Sequence, residues 1–330
     1  MVVRKAKMNL TTEILQTDDE GMRQAGEILK NNELVAFPTE TVFGLGANGL
    51  SDAACLKIFE AKGRPQDNPL ILHVSDADQA LTLFQSEPPH FRELVDMFWP
   101  GPLTIVYHKS DLVPLTVTAG LDTVAVRCPA HKVALRLIEE AGVPLAAPSA
   151  NTSGKPSPTH YQAVLDDLNG RISGVVAWTG RCECGLESTI IDLTQTPAHI
   201  LRPGLITHEE LSTVLPVINN ASLDPKERPK APGMKYRHYA PDTTVEIITG
   251  TQSIDRSRKC IVLGMESQLD GLINLPVFNL GPTVDDACRN LFGALRCLDS
   301  YSFDVAYIFG LPDEGKGVAF MNRLRKAASK

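Results

Sequence analysis

Two basic residues in the first third of the chain have the types and spacing that suit a phosphate group. Lys62 and Arg64 stand two positions apart, where a predicted helix ends in the order Ala-Lys-Gly-Arg-Pro. Lysine offers a compact charge and arginine a planar fork, so the pair could bind one polyphosphate. A structural role also fits, because a lysine near a helix C-terminus complements the helix dipole and Gly63 can end the helix.

A second polar segment follows the apolar residues 143–147. It contains Ser149, Asn151 and Ser157 among other small and hydroxylated residues. Ligands in open α/β sheets bind beyond the carboxyl ends of strands, which is where these side chains would lie. Ser188 near the start of one predicted strand and Arg202 near the end of another could border the same cleft. The sequence therefore predicts a polar cleft at an edge of a sheet.

Arg127 closes a strand pattern at residues 123–127. Alternation with a period of two places Arg127 with Thr123 and Ala125 on one face of the strand, away from the valines. A charge at this position needs a partner, and a bound carboxylate would serve as well as a protein Asp or Glu. The sequence leaves that choice open. His73 lies on another apolar strand, where a structural histidine is the commoner outcome.

Other short motifs are absent or misplaced. Residues 44–49 match G-x-G-x-x-G, but six residues separate them from the strand predicted at 34–37, whereas a dinucleotide fingerprint needs its glycines in the strand-to-helix turn. Leu50 stands where a P-loop requires lysine. The chain has no G-x-S-x-G, H-E-x-x-H or C-x-x-C motif, and Cys182 and Cys184 are too close for the usual zinc pair. No metal site made of protein side chains is predicted.

Strand-length apolar runs alternate along the chain with segments of helical period, which predicts an α/β protein. Strands are predicted at 34–37, 70–74, 103–107, 123–127, 143–147, 189–193, 245–249, 260–263 and 305–309. Helices are predicted at 21–31, 51–62, 89–98, 132–141, 159–168, 284–298 and 318–328. Four prolines between residues 219 and 242 exclude a continuous helix and predict a linker. The expected organisation is a domain at 1–218, a linker at 219–242 and a smaller α/β domain at 243–330.

Composition limits the classes of protein. The 330 residues exceed the rough allowance of ~150 per domain, and 43% hydrophobic with 22% charged residues is ordinary globular usage. A net charge of −7, from 32 basic and 39 acidic residues, argues against binding of nucleic acid through the overall charge of the protein. Seven scattered cysteines favour a reducing compartment, so a cytoplasmic protein is expected. No apolar run of ~18 residues occurs, so no membrane segment is predicted.

Nine segments in this order closely resemble the YrdC-like threonylcarbamoyl-AMP synthases. They are residues 37–46 (FPTETVFGLG), 62–65 (KGRP), 68–69 (NP), 99–104 (WPGPLT), 124–129 (VAVRCP), 147–151 (APSAN), 185–189 (GLEST), 201–204 (LRPG) and 231–241 (APGMKYRHYAP). The last resembles the linker of the two-domain members. The resemblance covers the chain from about residue 14, and it implies an open twisted mixed sheet with helices, followed by a smaller Rossmann-like domain.

The resemblance also implies a reaction and roles. Threonine, bicarbonate and ATP would give threonylcarbamoyl-AMP and pyrophosphate, with Mg²⁺ accompanying ATP, and the product would pass to a tRNA threonylcarbamoyl transferase complex. Lys62 and Arg64 would be catalytic. The ATP-binding positions would be Lys62, Arg64, Asn68, Thr123, Ser149, Asn151, Ser157, Arg202 and Tyr236, with Tyr239 close by. The threonine-binding positions would be Thr41, His73, Arg127, the Ala147 backbone and Ser188.

Two alternatives stay open. The first is a non-catalytic RNA-binding factor that uses a basic cleft, because residues 226–238 contain five Lys and Arg residues against one Glu. A solvated linker explains that stretch more simply, and a weak tRNA contact by the enzyme itself is also left open. The second alternative keeps the fold but transfers a different carbamoyl group, as in hydrogenase-maturation relatives. The C-terminal domain argues against it.

Overall fold

The structure, a computed structural model, describes residues 10–219 and 238–329, which form two sheets covered by helices. The strands of the first sheet are β1 (Glu13–Leu15), β2 (Val35–Phe37), β3 (Gly44–Asn48), β4 (Ile71–His73), β5 (Leu103–His108), β6 (Thr123–Arg127), β7 (Leu145–Ala146), β8 (Gly174–Val176), β9 (Thr189–Asp192), β10 (Ala198–Arg202) and β11 (Val217–Asn219). Its helices are α1 (Asp19–Lys30), α2 (Asp52–Lys62), α3 (Ala77–Leu83), α4 (Phe91–Phe98), α5 (Leu115–Thr118), α6 (Lys132–Ala141), α7 (Tyr161–Leu168) and α8 (His208–Leu211). We call residues 10–219 the first unit.

The second unit, residues 238–329, contains a smaller sheet in which every pairing is parallel, in the order β12-β15-β13-β14. Its strands are β12 (Thr244–Ile248), β13 (Cys260–Gly264), β14 (Val277–Asn279) and β15 (Val305–Phe309), and its helices are α9 (Glu266–Leu269), α10 (Val284–Leu298) and α11 (Gly317–Ala328), with a 3-10 turn at Thr251–Ser253. The predicted fold class is confirmed. The predicted domain limits and linker stay predictions, since residues 220–237 lie outside the described residues. Among the described residues, none of the helices combines the length and the apolar character that a membrane span requires.

The first sheet is mixed, with the order β1-β8-β2-β3-β7-β4-β6-β5-β9-β10-β11. Near its centre β4 runs parallel to β6, and the register pairs Leu72 with Val126 and His73 with Arg127. Because side chains alternate along a strand, Leu72 and Val126 enter the main apolar core while His73 and Arg127 lie on the opposite face. The sheet thus places two polar residues side by side.

Helices cover both faces of this sheet and hold its strands in register. Helices α1 and α6 pack together on one face, where Met22, Leu29 and Leu137 are fully buried. A larger apolar cluster on the other face includes Ile58 of α2 and Leu94 of α4. Burial of both faces supplies the hydrophobic free energy that fixes the central strands.

Strand β3 explains the glycines at residues 44–49. The sequence pattern predicts no strand there, because glycine is depleted in strands. The structure pairs β3 antiparallel with β2, and a Cβ on Gly46 would lie only 2.8 Å from the Phe37 ring. Glycine is therefore needed for close packing. The segment is a core strand rather than a phosphate-binding turn.

Helix α2 begins and ends at the residues that the sequence indicates. Ser51 Oγ accepts a hydrogen bond from the Ala54 amide, and Gly63 follows the helix in the left-handed region with φ of 63°. These caps fix the last turn and the residues just beyond it. Lys62 and Arg64 consequently leave the helix end in different directions.

The two units are packed directly against each other. Val42 of the first unit shares an apolar cluster with Phe292 and Tyr239, whose ring centroids are 4.9 Å apart. Gly185 has φ of 70°, and a Cβ there would lie 2.3 Å from the Arg289 Cα on α10. Only glycine allows this approach. The second unit therefore contacts the loop that leads into β9.

Candidate active site

An open cleft lies over the sheet face formed by β4 and β6. The predicted site residues that line it are Thr41, Arg64, His73, Arg127, Ala147, Ser149, Asn151, Ser157, Ser188 and Arg202. Lys62, Asn68 and Thr123 lie outside this lining, and Tyr236 lies outside the described residues. The fold thus brings together residues from widely separated segments of the chain.

Arg127 lies at the end of the cleft that the resemblance assigns to threonine. Its Nη1 donates to Thr41 Oγ1 at 3.0 Å, and its Nε donates to Gly101 O at 3.3 Å. Nη2 lies 2.6 Å from Glu40 Oε1, close enough for an ion pair although the angle is poor for a hydrogen bond. Both side chains of the pair are only 4% exposed. The partner that the sequence left open is therefore Glu40, which the sequence did not indicate.

His73 lies beside Arg127 on the adjacent strand. Its Nδ1 is 3.3 Å from Ile71 O, and its ring packs edge-on against Phe37. Burial, and then the charge of Arg127, lower the pKa of His73 to about 3. The imidazole is therefore neutral near pH 7 and can form hydrogen bonds without adding charge to this end of the cleft.

Ser188 and Arg202 form another part of the wall, where β9 and β10 are neighbours. Arg202 Nη2 donates to Ser188 Oγ and Arg202 Nε donates to Ser188 O, each at 3.0 Å. The Ser188 hydroxyl also lies 2.7 Å from Thr104 Oγ1. Burial and the charge of Arg323 lower the pKa of Arg202 to about 10, so it remains charged near neutral pH. These contacts hold a cation and a hydroxyl in a fixed relation.

Lys62 lies beneath the loop of residues 147–157 rather than in the cleft. Its Nζ donates hydrogen bonds to the backbone carbonyls of Ser149 and Asn151, the second at 2.5 Å. The side chain is 1% exposed, and burial together with the charge of Arg64 lowers its pKa well below the ordinary value. Ser149 Oγ donates in turn to Asn151 Oδ1 at 2.6 Å. Lys62 thus fixes the shape of the loop.

Arg64 lies in the cleft lining. Its Nη2 donates to the backbone carbonyls of Asn68 at 3.3 Å and Pro69 at 3.1 Å. Asn68 therefore orients Arg64 through its main chain. The Asn68 Oδ1 and Thr123 Oγ1 atoms are buried, and neither has a hydrogen-bond partner among the described residues.

Glu187 has no role assigned from the sequence, yet it forms part of the lining. Its Oε1 accepts from Ser157 Oγ at 2.6 Å, and its Oε2 accepts from Arg323 Nε at 2.9 Å. Burial opposes ionisation, but the charges of Arg323 and Arg202 outweigh it and lower the pKa of Glu187 to about 2. An acidic residue inside the 185–189 segment was the available signal. Further lining residues without an assigned role are Thr39, Val42, Gly44, Ile71, Pro148, Lys155, His238 and Tyr239.

The cleft combines fixed cations and hydroxyls and lacks an activated thiol among the described residues. Burial raises the pKa of Cys184 to about 12 and raises that of Cys182 as well, so both neighbouring thiols stay protonated. Within residues 10–219 and 238–329 no group of three His, Cys, Asp or Glu side chains could hold a metal ion. An arrangement of this kind binds and orients anionic groups.

Two family models account for most of the chain. Residues 27–204 match the model of the Sua5, YciO and YrdC proteins, which carries the description Telomere recombination. Residues 206–329 match the model described as Threonylcarbamoyl-AMP synthase, C-terminal domain. A YrdC-like α/β domain, followed by this second domain, defines the class of protein.

Relatives of similar length agree with both matches. The threonylcarbamoyl-AMP synthase of Pyrococcus abyssi is 46% identical over 324 residues, covering 93% of this chain and 94% of its own. The threonylcarbamoyl-AMP synthase of Bacillus subtilis is 43% identical over 331 residues, covering 96% of this chain and 95% of its own. The crystal structure of P. abyssi Sua5 complexed with L-threonine matches with a TM-score of 0.88 at 44% identity, covering 96% of this chain and 98% of that one. The chain belongs to the threonylcarbamoyl-AMP synthase family.

Proposed function

We propose that the protein is an L-threonylcarbamoyladenylate synthase, which converts L-threonine, bicarbonate and ATP into threonylcarbamoyl-AMP and pyrophosphate for N6-threonylcarbamoyladenosine formation in tRNA. The observation that carries the proposal is that predicted ATP and threonine positions line one cleft, in a chain 46% identical to such a synthase over nearly its whole length. Because an adenylyl group is transferred, the enzyme is a nucleotidyltransferase by reaction class.

Threonine would bind where Thr41, His73, Arg127 and Ser188 meet, beside the Ala147 backbone. Arg127 carries the charge that attracts the α-carboxylate, which must compete with the Glu40 carboxylate 2.6 Å away. The α-amine has to lose its proton before it can attack carbon dioxide or bicarbonate. The charge of Arg127 nearby would lower the pKa of the threonine ammonium group and so favour loss of its proton. His73 is neutral and adds no charge of its own.

ATP would bind along the loop of residues 147–157, with Arg64 and Arg202 near its phosphates. We take it to enter as its Mg²⁺ complex, in which phosphate oxygens and water surround the ion. The residues that line the cleft do not fit a Mg²⁺ ion held by protein side chains. Glu187 is their one carboxylate within the described part of the chain, and Glu187 already accepts hydrogen bonds from Ser157 and Arg323.

The bond changes require no protein nucleophile. An oxygen of the threonine carbamate attacks the α-phosphorus, and the bond from that phosphorus to the bridging oxygen breaks. Pyrophosphate leaves with the electron pair. Arg64 would stabilise charge that develops on the phosphates, and most of the rate enhancement would come from orientation of the two reactants.

The product is a mixed anhydride that water hydrolyses, so we propose direct transfer to a tRNA threonylcarbamoyl transferase complex in the cytoplasm. The RNA-binding alternative rests on residues 226–238, and of these only His238 is among the described residues. The net charge of −7 also opposes non-specific RNA binding. A weak tRNA contact stays a prediction.

Pyrophosphate release tests the proposal directly. Full-length protein with ATP, L-threonine and bicarbonate should release pyrophosphate, and omission of threonine or bicarbonate should reduce release to background. Arg64→Ala should abolish turnover. Arg92→Ala, which removes exposed ion pairs with Glu87 and Asp78 and a contact with the Phe91 ring outside the cleft, should retain it. Release that is independent of threonine would contradict the proposed reaction, and full activity of Arg64→Ala would remove that residue from the site.

A further inference from the structure

One arginine of the second unit is completely buried against the first unit. Arg323 on α11 has 0% exposure. Its Nε donates to Glu187 Oε2 at 2.9 Å, its Nη2 to Glu187 O at 3.1 Å, and its Nη1 to Pro203 O at 2.6 Å. These acceptors all belong to the first unit. Arg323 therefore uses each nitrogen of its guanidinium to hold a segment of the cleft wall.

A second arginine reaches across in the same way from α10. Arg296 Nη2 donates to Asp167 Oδ2 at 2.8 Å, and the Asp167 side chain is 1% exposed. The same Asp167 Oδ2 accepts from the Thr152 backbone amide at 3.1 Å, and Lys155 Nζ lies 3.7 Å from Asp167 Oδ1. Arg296 is thus one buried carboxylate away from the loop of residues 147–157.

Both contacts lead to the same loop. Asp167 holds its middle at Thr152, and Glu187 holds its end through the Ser157 hydroxyl, at 2.6 Å. A buried carboxylate that loses its cation becomes protonated or moves toward water, because an uncompensated buried charge is costly. Either change would release the loop group that the carboxylate holds. The loop geometry therefore depends on side chains of the second unit.

We propose that Arg296 and Arg323 are positioning residues, which hold the nucleotide-binding loop through Asp167 and Glu187 and make the second unit part of the active-site framework. The inference rests on the proposed function in one respect, namely that this loop binds ATP. The competing explanation is that both arginines only attach one unit to the other. In that case their loss would lower stability without a selective effect on ATP.

The test uses Arg296→Met and Arg323→Lys in the full-length protein. Arg296→Met should fold, because Lys155 still lies 3.7 Å from Asp167 and leaves that carboxylate one cation. Arg323→Lys keeps a charge beside Glu187 but loses the planar guanidinium, which donates to three acceptors of the first unit. Arg325→Met is the matched control, since Arg325 is on the same helix but forms an exposed ion pair with Asp313. KM values for ATP and threonine and amide exchange of residues 148–157 without substrate are measured.

We expect KM for ATP to rise roughly tenfold in both variants, with KM for threonine changed less than about twofold and faster amide exchange at Thr152. The control should match the wild type. Equal rises in both KM values, or unchanged exchange in Arg296→Met, would overturn the inference, and Arg296→Met decides if Arg323→Lys does not fold. Amide exchange needs no catalysis. The exchange measurement therefore tests this inference even if the wild type shows no threonine-dependent pyrophosphate release. Absence of that release would count against the proposed function alone.

Discussion

Replacement of Lys62 by methionine separates two roles that the sequence could not distinguish. An ammonium that contacts ATP directly would be needed for turnover but not for stability. The structure instead directs Nζ to the carbonyls of Ser149 and Asn151, beneath the loop. We therefore expect Lys62→Met to weaken the fold and ATP binding together.

The size of the stability loss can be worked out from these contacts. Two buried carbonyl oxygens lose a donor, at about 1–3 kcal/mol each, which sums to about 2–6 kcal/mol. Methionine avoids the cost of burying an ammonium, a cost visible in the lowered pKa of Lys62, and it fills much of the same space. The net expectation is a loss of about 2–4 kcal/mol in the free energy of unfolding.

The assay combines denaturant unfolding with steady-state kinetics. Because Ser149 and Asn151 lose their anchor, KM for ATP should rise roughly tenfold while KM for threonine stays within about twofold. Lys57→Met is the control, since Lys57 is on the same helix and forms a partly exposed ion pair with Glu33. A Lys62→Met protein with wild-type stability and no pyrophosphate release would refute the reasoning, because the ammonium would then act on the nucleotide itself.

The threonine end, the pH dependence of stability and the contact between the units each give a further expectation. Arg127→Lys keeps a charge beside Glu40 but loses the planar guanidinium that can donate two parallel hydrogen bonds to a carboxylate. KM for threonine should therefore rise roughly tenfold, with KM for ATP nearly unchanged. His73 has a folded pKa of about 3 against an ordinary 6.5, so the unfolded chain binds more protons between these values. Urea unfolding should therefore show stability falling by up to about 2.5 kcal/mol from pH 6.5 to 4.5, and His73→Asn should lose this dependence. Gly185→Ala forces a Cβ against the Arg289 backbone at positive φ and should cost at least about 1–3 kcal/mol in thermal denaturation.

Each of these expectations has an outcome that contradicts it. Equal rises in both KM values of Arg127→Lys would place Arg127 outside the threonine end. An unchanged pH dependence in His73→Asn would mean that other groups cause it. Wild-type stability of Gly185→Ala would show that α10 does not approach the loop so closely. Gly293→Ala is the control for this last variant, because a Cβ there would lie 4.0 Å from its nearest neighbour, Thr159 Oγ1.

Features that depend on neighbours along the chain could be predicted. The alternation at residues 123–127 placed Arg127 on the face away from the valines, and the helix predicted at 51–62 agrees with α2 to within one residue. In the second unit β15 and α10 lie at the predicted residues. Short strands were harder to predict from the sequence. The strand predicted at 143–147 is only two residues long, and β1, β8, β14 and α3 were not predicted.

Features that depend on distant residues could not be predicted in this way. No local pattern joins Arg323 to Glu187, which is 136 positions earlier, or Arg127 to Glu40. Lys62 was assigned to the right region, but its direction depends on a loop 87 positions later in the chain. Any of several carboxylates could have paired with each cation. Only the packed chain selects one.

Residue types, periodicities and ordered segments are enough to identify the family and its α/β fold. These features are local, because propensity and capping act within a few residues. Which polar groups face the cleft, and which support it from behind, depends on contacts between distant parts of the chain. That division arises when both units pack, since a buried charge is stable only where the fold brings a partner to it.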